Sequence, residues 1–122
     1  MEFREKRAIY LQIGDHICEN ILTGVWRPEE RIPSIRELAV DMEVNPNTVM
    51  RTYAYLQELG IIQNRRGIGY FVAEDARERT LKLKKRAFLE EELPGLFRSL
   101  DVLGLSWKDL QEAYDRHRGG GD

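Results

Sequence analysis

The chain has 122 residues, of which 42% are hydrophobic and 33% are charged, and its formal net charge is −2. This length and composition predict one globular domain, or one small domain with an appendage, and the chain is short for an enzyme with two substrate sites. No apolar run is long enough to span a bilayer, the charged N-terminus is unlike a signal peptide, and the lone Cys18 excludes an internal disulfide, so a cytoplasmic location is expected.

A stripe of apolar residues predicts the first helix, over residues 9–23. Its isoleucines recur at every fourth position: Ile9, Ile13, Ile17 and Ile21. This spacing places them on one face of a helix. Gly24 is typical of the left-handed residue that ends a helix. Residues 25–32 are expected to form a connector, in which Trp26 covers one end of the core.

Two short helices are predicted next, each with its own N-terminal cap. Ser34, followed by Glu37 three residues later, forms the capping-box pattern. Asn45 and Pro46 open the second helix, because Asn is a good N-cap and proline at the first helical position loses only an N–H without a partner. Only a few residues separate the two helices, so they are expected to cross steeply, as in a helix-turn-helix.

The second of these helices, residues 46–59, carries polar side chains opposite its apolar face. They are Asn47, Thr48, Arg51 and Tyr55. Amide, hydroxyl and guanidinium groups form hydrogen bonds with base edges and phosphates. A solvated helix face accounts for the same residues equally well, so this pattern alone does not decide between the two interpretations.

The next segment, residues 61–72, favours DNA binding. Two short β-prone runs flank Arg65-Arg66-Gly67-Ile68-Gly69, which predicts a hairpin with a basic tip. A helix-turn-helix followed by such a hairpin is a winged helix, whose second helix enters the major groove while the wing reaches the minor groove or flanking phosphates. Residues 44–73 contain three arginines and one glutamate, so this segment is positively charged although the whole chain has a net negative charge.

Several characteristic strings stand in order along residues 8–72, among them Ile9-Tyr10-Leu11-Gln12-Ile13, Ile32-Pro33-Ser34-Ile35-Arg36-Glu37-Leu38-Ala39 and Arg66-Gly67-Ile68-Gly69-Tyr70-Phe71-Val72. In this order they resemble the DNA-binding domain of the GntR family of bacterial transcription regulators. The resemblance implies DNA contacts from Arg36, Asn45, Asn47, Thr48, Arg51 and Gly67. The predicted DNA-binding surface also includes Ser34, Tyr55, Arg65 and Arg66.

The sequence departs from the family pattern at four places. Asn45-Pro46 stands where many members have Ser-Arg or Thr-Arg, and Met50 stands where many have arginine. The base preference of those members is therefore not carried over to this chain. Glu43 replaces a glycine that is frequent at the turn of helix-turn-helix units, and Pro28-Glu29 replaces the family's Pro-Gly.

Residues 75–118 are predicted to form amphipathic helices without a core of their own, interrupted at Pro94. Their predicted dimerisation residues are Leu89, Leu93, Leu96, Phe97, Leu100, Leu103, Trp107, Leu110 and Tyr114. Such helices need a partner, and the simplest partner is a second copy. The short tail resembles the YtrA-like branch of the family, which implies a homodimer on a two-fold symmetric operator.

The predicted fold is therefore mostly α with a small antiparallel β wing. A winged helix-turn-helix domain (residues 1–74) precedes the helical dimerisation segment (75–118) and a disordered tail (119–122). The resemblance implies a homodimeric repressor of a small operon, which in YtrA-like relatives often encodes ABC transporter components. The alternative is a winged-helix protein-interaction module that lacks sequence-specific DNA binding.

An enzyme is not expected, because the sequence has no glycine-rich phosphate loop, no Cys/His ligand cluster and no nucleophile with a plausible base. No cofactor, metal or membrane partner is expected. The expected partners are double-stranded DNA and a second copy of the chain, and the sequence identifies no small-molecule effector.

Overall fold

The computed structural model describes residues 7–120. Its elements, in chain order, are α1 (Ile9–Leu22), α2 (Ile35–Met42), α3 (Pro46–Glu58), β1 (Ile62–Arg65), β2 (Gly69–Val72), α4 (Ala76–Ala87), α5 (Leu93–Leu103) and α6 (Trp107–Gly120). A π-helical turn, Phe88–Glu92, lies between α4 and α5. The described residues form two compact units, one ending at Leu83 and one beginning at Lys84. The predicted fold class is confirmed.

Both predicted helix caps are present. The Ser34 hydroxyl accepts a hydrogen bond from the Glu37 N–H at 3.1 Å, and the Glu37 carboxylate accepts one from the Ser34 N–H at 2.8 Å. Hydrogen bonding of the Glu37 carboxylate, first to the Ser34 backbone N–H and then to the Ser34 side chain, holds the pKa of Glu37 below its ordinary value because both stabilise the charged form. At α3, the Asn45 side-chain oxygen accepts from the Asn47 N–H at 2.8 Å, and Pro46 takes the first helical position.

The turn between α2 and α3 passes through a left-handed residue. Glu43 has φ 57° and ψ 47°, and its N–H donates to the Val40 carbonyl at 3.2 Å. The following N–H, of Val44, donates to the Ala39 carbonyl at 3.0 Å. Glu29 also has a positive φ, of 64°. The resemblance implies glycine at both of these positions, and the two glutamates adopt the left-handed backbone that glycine favours.

The first three helices pack around one apolar core, which the hairpin and the start of α4 complete. Its largest fully buried side chains include Ile17, Val49, Tyr53, Leu56, Ile61, Ile62 and Val72. The Tyr53 hydroxyl donates to the Pro33 carbonyl at 2.6 Å. The Tyr53 ring meets the Tyr70 ring edge-on, with 4.8 Å between the ring centroids. Burial raises the pKa of Tyr53, so the phenol remains a hydrogen-bond donor.

The wing is attached to the helix-turn-helix by a segment that was predicted to be only a connector. Strands β1 and β2 pair antiparallel, from Ile62 with Val72 to Arg65 with Gly69. On the other edge of β2, the Ile32 N–H donates to the Tyr70 carbonyl at 3.0 Å, and the Val72 N–H donates to the Glu30 carbonyl at 2.9 Å. Segment 29–32 therefore pairs with β2 through an isolated antiparallel bridge between Arg31 and Phe71, beside the two-stranded sheet.

The first unit extends beyond the predicted domain boundary at residue 74. Ala76 and Thr80, in the first turns of α4, are fully buried, and Leu83 packs against the core. These residues recur at helical spacing on one face, which explains why the first part of α4 belongs to the winged unit. The second unit begins within α4 rather than before it.

The second unit consists of helices with no buried residues in the π-turn, α5 or α6. The predicted interruption at Pro94 takes the form of the π-turn, because proline has no N–H for the regular helical ladder. Helix α6 begins with a Ser106–Asp109 cap, in which the Asp109 carboxylate accepts from the Ser106 N–H at 2.9 Å. Among the described residues, no helix is long and apolar enough to cross a membrane.

The expected disordered tail is wrong for Gly119 and Gly120, which belong to α6. Glycine can adopt helical dihedral angles, and extending an existing helix adds a backbone hydrogen bond without the cost of a new nucleus. The rest of that predicted tail, residues 121–122, lies outside the described residues.

Replacing Glu43 with glycine is expected to stabilise the protein by about 0.5–1 kcal/mol. The change removes about 1–2 kcal/mol of left-handed strain, whereas glycine loses about 0.5–1 kcal/mol more chain entropy on folding. Urea unfolding followed by circular dichroism measures the free energy of unfolding. The matched control is Ala54→Gly, at an exposed site inside α3, which should lose about 1 kcal/mol. A destabilised Glu43→Gly protein would show that Glu43 is not strained.

Candidate DNA interface

The beginnings of α1 and α3 form one continuous surface. A shallow groove of about 280 Å³ is lined by Ala8, Ile9, Tyr10, Asn47, Thr48 and Arg51. Asn47 and Arg51 are exposed, and Thr48 is half-buried. Three predicted polar residues of α3 are thus brought together, and α1 contributes residues that the sequence reasoning did not assign to the site. These α1 residues could be identified only from the contact between the two helices, which no local sequence pattern predicts.

Arg51 lies against an aromatic pair at the edge of this groove. Its guanidinium carbon is 4.1 Å from the centroid of the Tyr10 ring, and the Tyr55 ring meets Tyr10 edge-on at 6.1 Å. Tyr55 is half-buried and also packs against the core. Tyr55 lies on the same side of α3 as Arg51, as predicted from helical spacing, but there it packs against Tyr10 at the start of α1.

The predicted contacts at the helix starts have different surroundings. Ser34 and Asn45 are exposed, and their side-chain oxygens accept N–H groups of α2 and α3 as caps. Arg36 is exposed in the first turn of α2 and lines a shallow groove of about 490 Å³. Its guanidinium is therefore accessible to a phosphate, whereas the two cap residues primarily fix the helix starts.

The two wing arginines also differ. Arg65 is half-buried, with its guanidinium carbon 4.1 Å from the centroid of the Phe71 ring and its Nη2 atom 3.4 Å from the Glu29 carboxylate. Arg66 and Gly67 are exposed at the hairpin turn. Gly67 has φ 78°, and within residues 7–120 no atom other than those of Gly67 and its chain neighbours lies within 4 Å of the position that a Cβ would take. The tip therefore presents Arg66 on open backbone, while Arg65 is held against the sheet.

The predicted dimerisation residues lie mostly on the surface of the second unit. Leu89, Leu96, Phe97, Leu103, Trp107 and Tyr114 are exposed, whereas Leu93, Leu100 and Leu110 are half-buried. Phe88 and Leu105 are exposed as well and were not among the predicted residues. Within residues 7–120, no group of three or more His, Cys, Asp or Glu residues is placed to hold a metal ion.

Comparison with known proteins matches residues 9–72 to the model of the bacterial regulatory proteins of the gntR family. An uncharacterised HTH-type transcriptional regulator of Bacillus subtilis, YhcF, is 38% identical over 98% of both chains. The HTH-type transcriptional repressor YtrA of the same organism is 36% identical over 89% of this chain and 83% of its own. A crystal structure described as a GntR-family regulator from Bacteroides thetaiotaomicron has 48% identity and a TM-score of 0.82, covering 94% of this chain and 100% of that chain.

These matches confirm the resemblance predicted from the sequence, including its YtrA-type relatives. The family model covers the winged helix, and the two relatives extend the match through most of the tail. The protein is a DNA-binding transcription regulator rather than an enzyme, and it belongs to the GntR family.

Proposed function

We propose that the protein is a homodimeric repressor that binds a two-fold symmetric operator through α3 and the wing. The observation that carries this proposal is the exposed polar start of α3 in the same unit as a basic hairpin tip. In a winged helix, such a helix lies in the major groove and such a tip reaches the minor groove or flanking phosphates. An operator-binding protein acts where the chromosome lies, so the proposed location is the cytoplasm.

The proposed roles follow from accessibility and chemistry. Asn47, Thr48 and Arg51 contact base edges, because their donors and acceptors lie on the exposed start of α3. Arg36 and the wing contact phosphates and fix the register. Gly67 permits close approach of the wing backbone to the duplex, because no side chain projects from it.

The second unit supplies the argument for a dimer. Its helices expose large apolar side chains, including Phe97 at 46%, Leu103 at 69% and Trp107 at 65% of their surface. Apolar surface of this kind is stabilised by burial against a partner. A second copy offers the same stripe, and a two-fold dimer joins identical patches. Each protomer would then present one winged helix to one half of the operator.

The repressor assignment is supported by the similarity to YtrA, a transcriptional repressor whose alignment covers 89% of this chain. We extend the proposal to a small operon encoding ABC transporter components, on the family resemblance stated above. Selection of bound duplexes from a random DNA pool tests the central claim. A two-fold symmetric consensus is expected, and no enrichment would contradict sequence-specific binding by this protein.

Replacing Arg51 with alanine is expected to weaken binding to the selected operator by about 1–3 kcal/mol and to relax the preference at one position in each half-site. The arginine can form paired hydrogen bonds with a guanine, and alanine cannot. Equilibrium titrations over operators substituted at each base pair measure both effects. Gln57→Ala, an exposed change near the end of α3, is the control and should alter neither. An unchanged base preference in Arg51→Ala would remove Arg51 from the reading surface.

Replacing Arg65 with alanine is expected to weaken binding to all duplexes alike and to reduce the slope of log K against log salt by about one. Glu29→Gln should strengthen binding to all duplexes, because the Glu29 carboxylate competes with phosphates for the Arg65 guanidinium. Glu19→Gln, at an exposed site in α1, controls for the loss of one negative charge. A sequence-dependent effect of Arg65→Ala would contradict a phosphate contact.

Replacing Leu103 with serine is expected to weaken the dimer by at least about a hundredfold, because each protomer loses an apolar side chain worth about 1.5–3 kcal/mol when buried. Val102→Ser is the matched control. Val102 is 85% exposed in the same helix, but it lies away from the face shared by Leu96, Phe97 and Leu103. Sedimentation equilibrium measures both dissociation constants. Equal effects of the two changes would contradict dimerisation through this stripe.

A further inference from the structure

Among the described residues, Arg51 is held by an aromatic ring rather than by a carboxylate. Its guanidinium carbon lies over the face of the Tyr10 ring, 4.1 Å from the centroid. The ion pairs of residues 7–120 do not include Arg51, nor does its guanidinium donate a hydrogen bond to any of these residues. Within residues 7–120, the ring of Tyr10 is therefore a contact that restricts the exposed arginine before it meets DNA.

Tyr10 is itself fixed by α3 through two separate contacts. Tyr55 meets the Tyr10 ring edge-on, with 6.1 Å between centroids and an interplanar angle of 86°. The Thr52 hydroxyl donates to the Tyr10 carbonyl at 2.8 Å, and the Thr48 carbonyl lies 3.0 Å from the same hydroxyl. Both the ring and the main chain of Tyr10 are thus held against the helix that carries Arg51.

This contact suits an arginine that must recognise a base. The negative face of an aromatic ring attracts a cation without accepting a conventional hydrogen bond. The N–H donors of Arg51 consequently stay available for the paired acceptors O6 and N7 of guanine. A carboxylate partner would occupy some of those donors. Restricting the side chain beforehand also reduces the rotamer freedom that it loses on binding.

We propose that Tyr10 is a positioning residue for base recognition, whose ring holds the Arg51 guanidinium ready to pair with a guanine in each half-site. The inference rests on the proposed function of α3 as the recognition helix. Tyr10 acts through Arg51, so it determines specificity without contacting the base itself.

Two substitutions at Tyr10 separate the ring from the hydroxyl. Tyr10→Leu removes the aromatic face and keeps an apolar side chain, whereas Tyr10→Phe keeps the face. Equilibrium binding is measured with the selected operator, with operators substituted at each base pair and with a random-sequence duplex. Tyr10→Leu is expected to weaken operator binding by about twofold to fivefold. Tyr10→Leu should also lower discrimination at the base pair affected by Arg51→Ala, and it should leave the affinity for the random-sequence duplex unchanged. Tyr10→Phe should bind every duplex as the original protein does.

The double variant decides whether Tyr10 acts through Arg51. In the Arg51→Ala background, Tyr10→Leu should cause no further loss, because the two residues act as one unit. If Tyr10→Leu lowered operator affinity by the same factor in the Arg51→Ala background, the proposal would be overturned. A lower operator affinity in Tyr10→Phe would overturn it too, because it would indicate that the hydroxyl contacts a phosphate. Unchanged base preference in Arg51→Ala would instead reject the role of Arg51, and with it the positioning role. Melting temperatures verify folding, and Tyr10→Met replaces Tyr10→Leu if the latter is destabilised.

Discussion

The orientation of α3 depends on two adjacent residues that bind main-chain carbonyls on different sides of the helix. Tyr53, fully buried, donates to the Pro33 carbonyl just before α2, and Thr52, also fully buried, donates to the Tyr10 carbonyl in α1. Buried hydroxyls need such partners, and a carbonyl left without its donor would be costly. Because each bond fixes α3 to a neighbouring segment, the two bonds together determine the direction of its exposed face.

Local chemistry made much of this fold predictable. The capping box at Ser34 and the Asn45-Pro46 start are short-range patterns, and the structure contains both. The hairpin with its basic turn could likewise be predicted from β-prone runs around Gly67 and Gly69. Each of these signals needs only a few consecutive residues, so tertiary contacts were not required to identify them.

Long-range contacts account for what the sequence did not reveal. Segment 29–32 has no strand pattern, and its pairing depends on the free edge of β2. Tyr55 lies on the polar face of α3 by helical periodicity, but Tyr10, which is distant in sequence, covers that side. The winged unit extends to Leu83 because α4 starts on the core, which a composition shift near residue 74 does not show.

The π-turn and the helices that follow it contain no buried residue, so within one chain they have little apolar burial to stabilise them. If a second copy covers these helices, part of the free energy of folding comes from association, and the melting temperature rises with protein concentration. The concentration of the regulator in the cell would then determine both the stability of its C-terminal helices and the fraction of winged units that are present in dimers. A modest fall in its synthesis would release an operator more sharply than a monomeric repressor would.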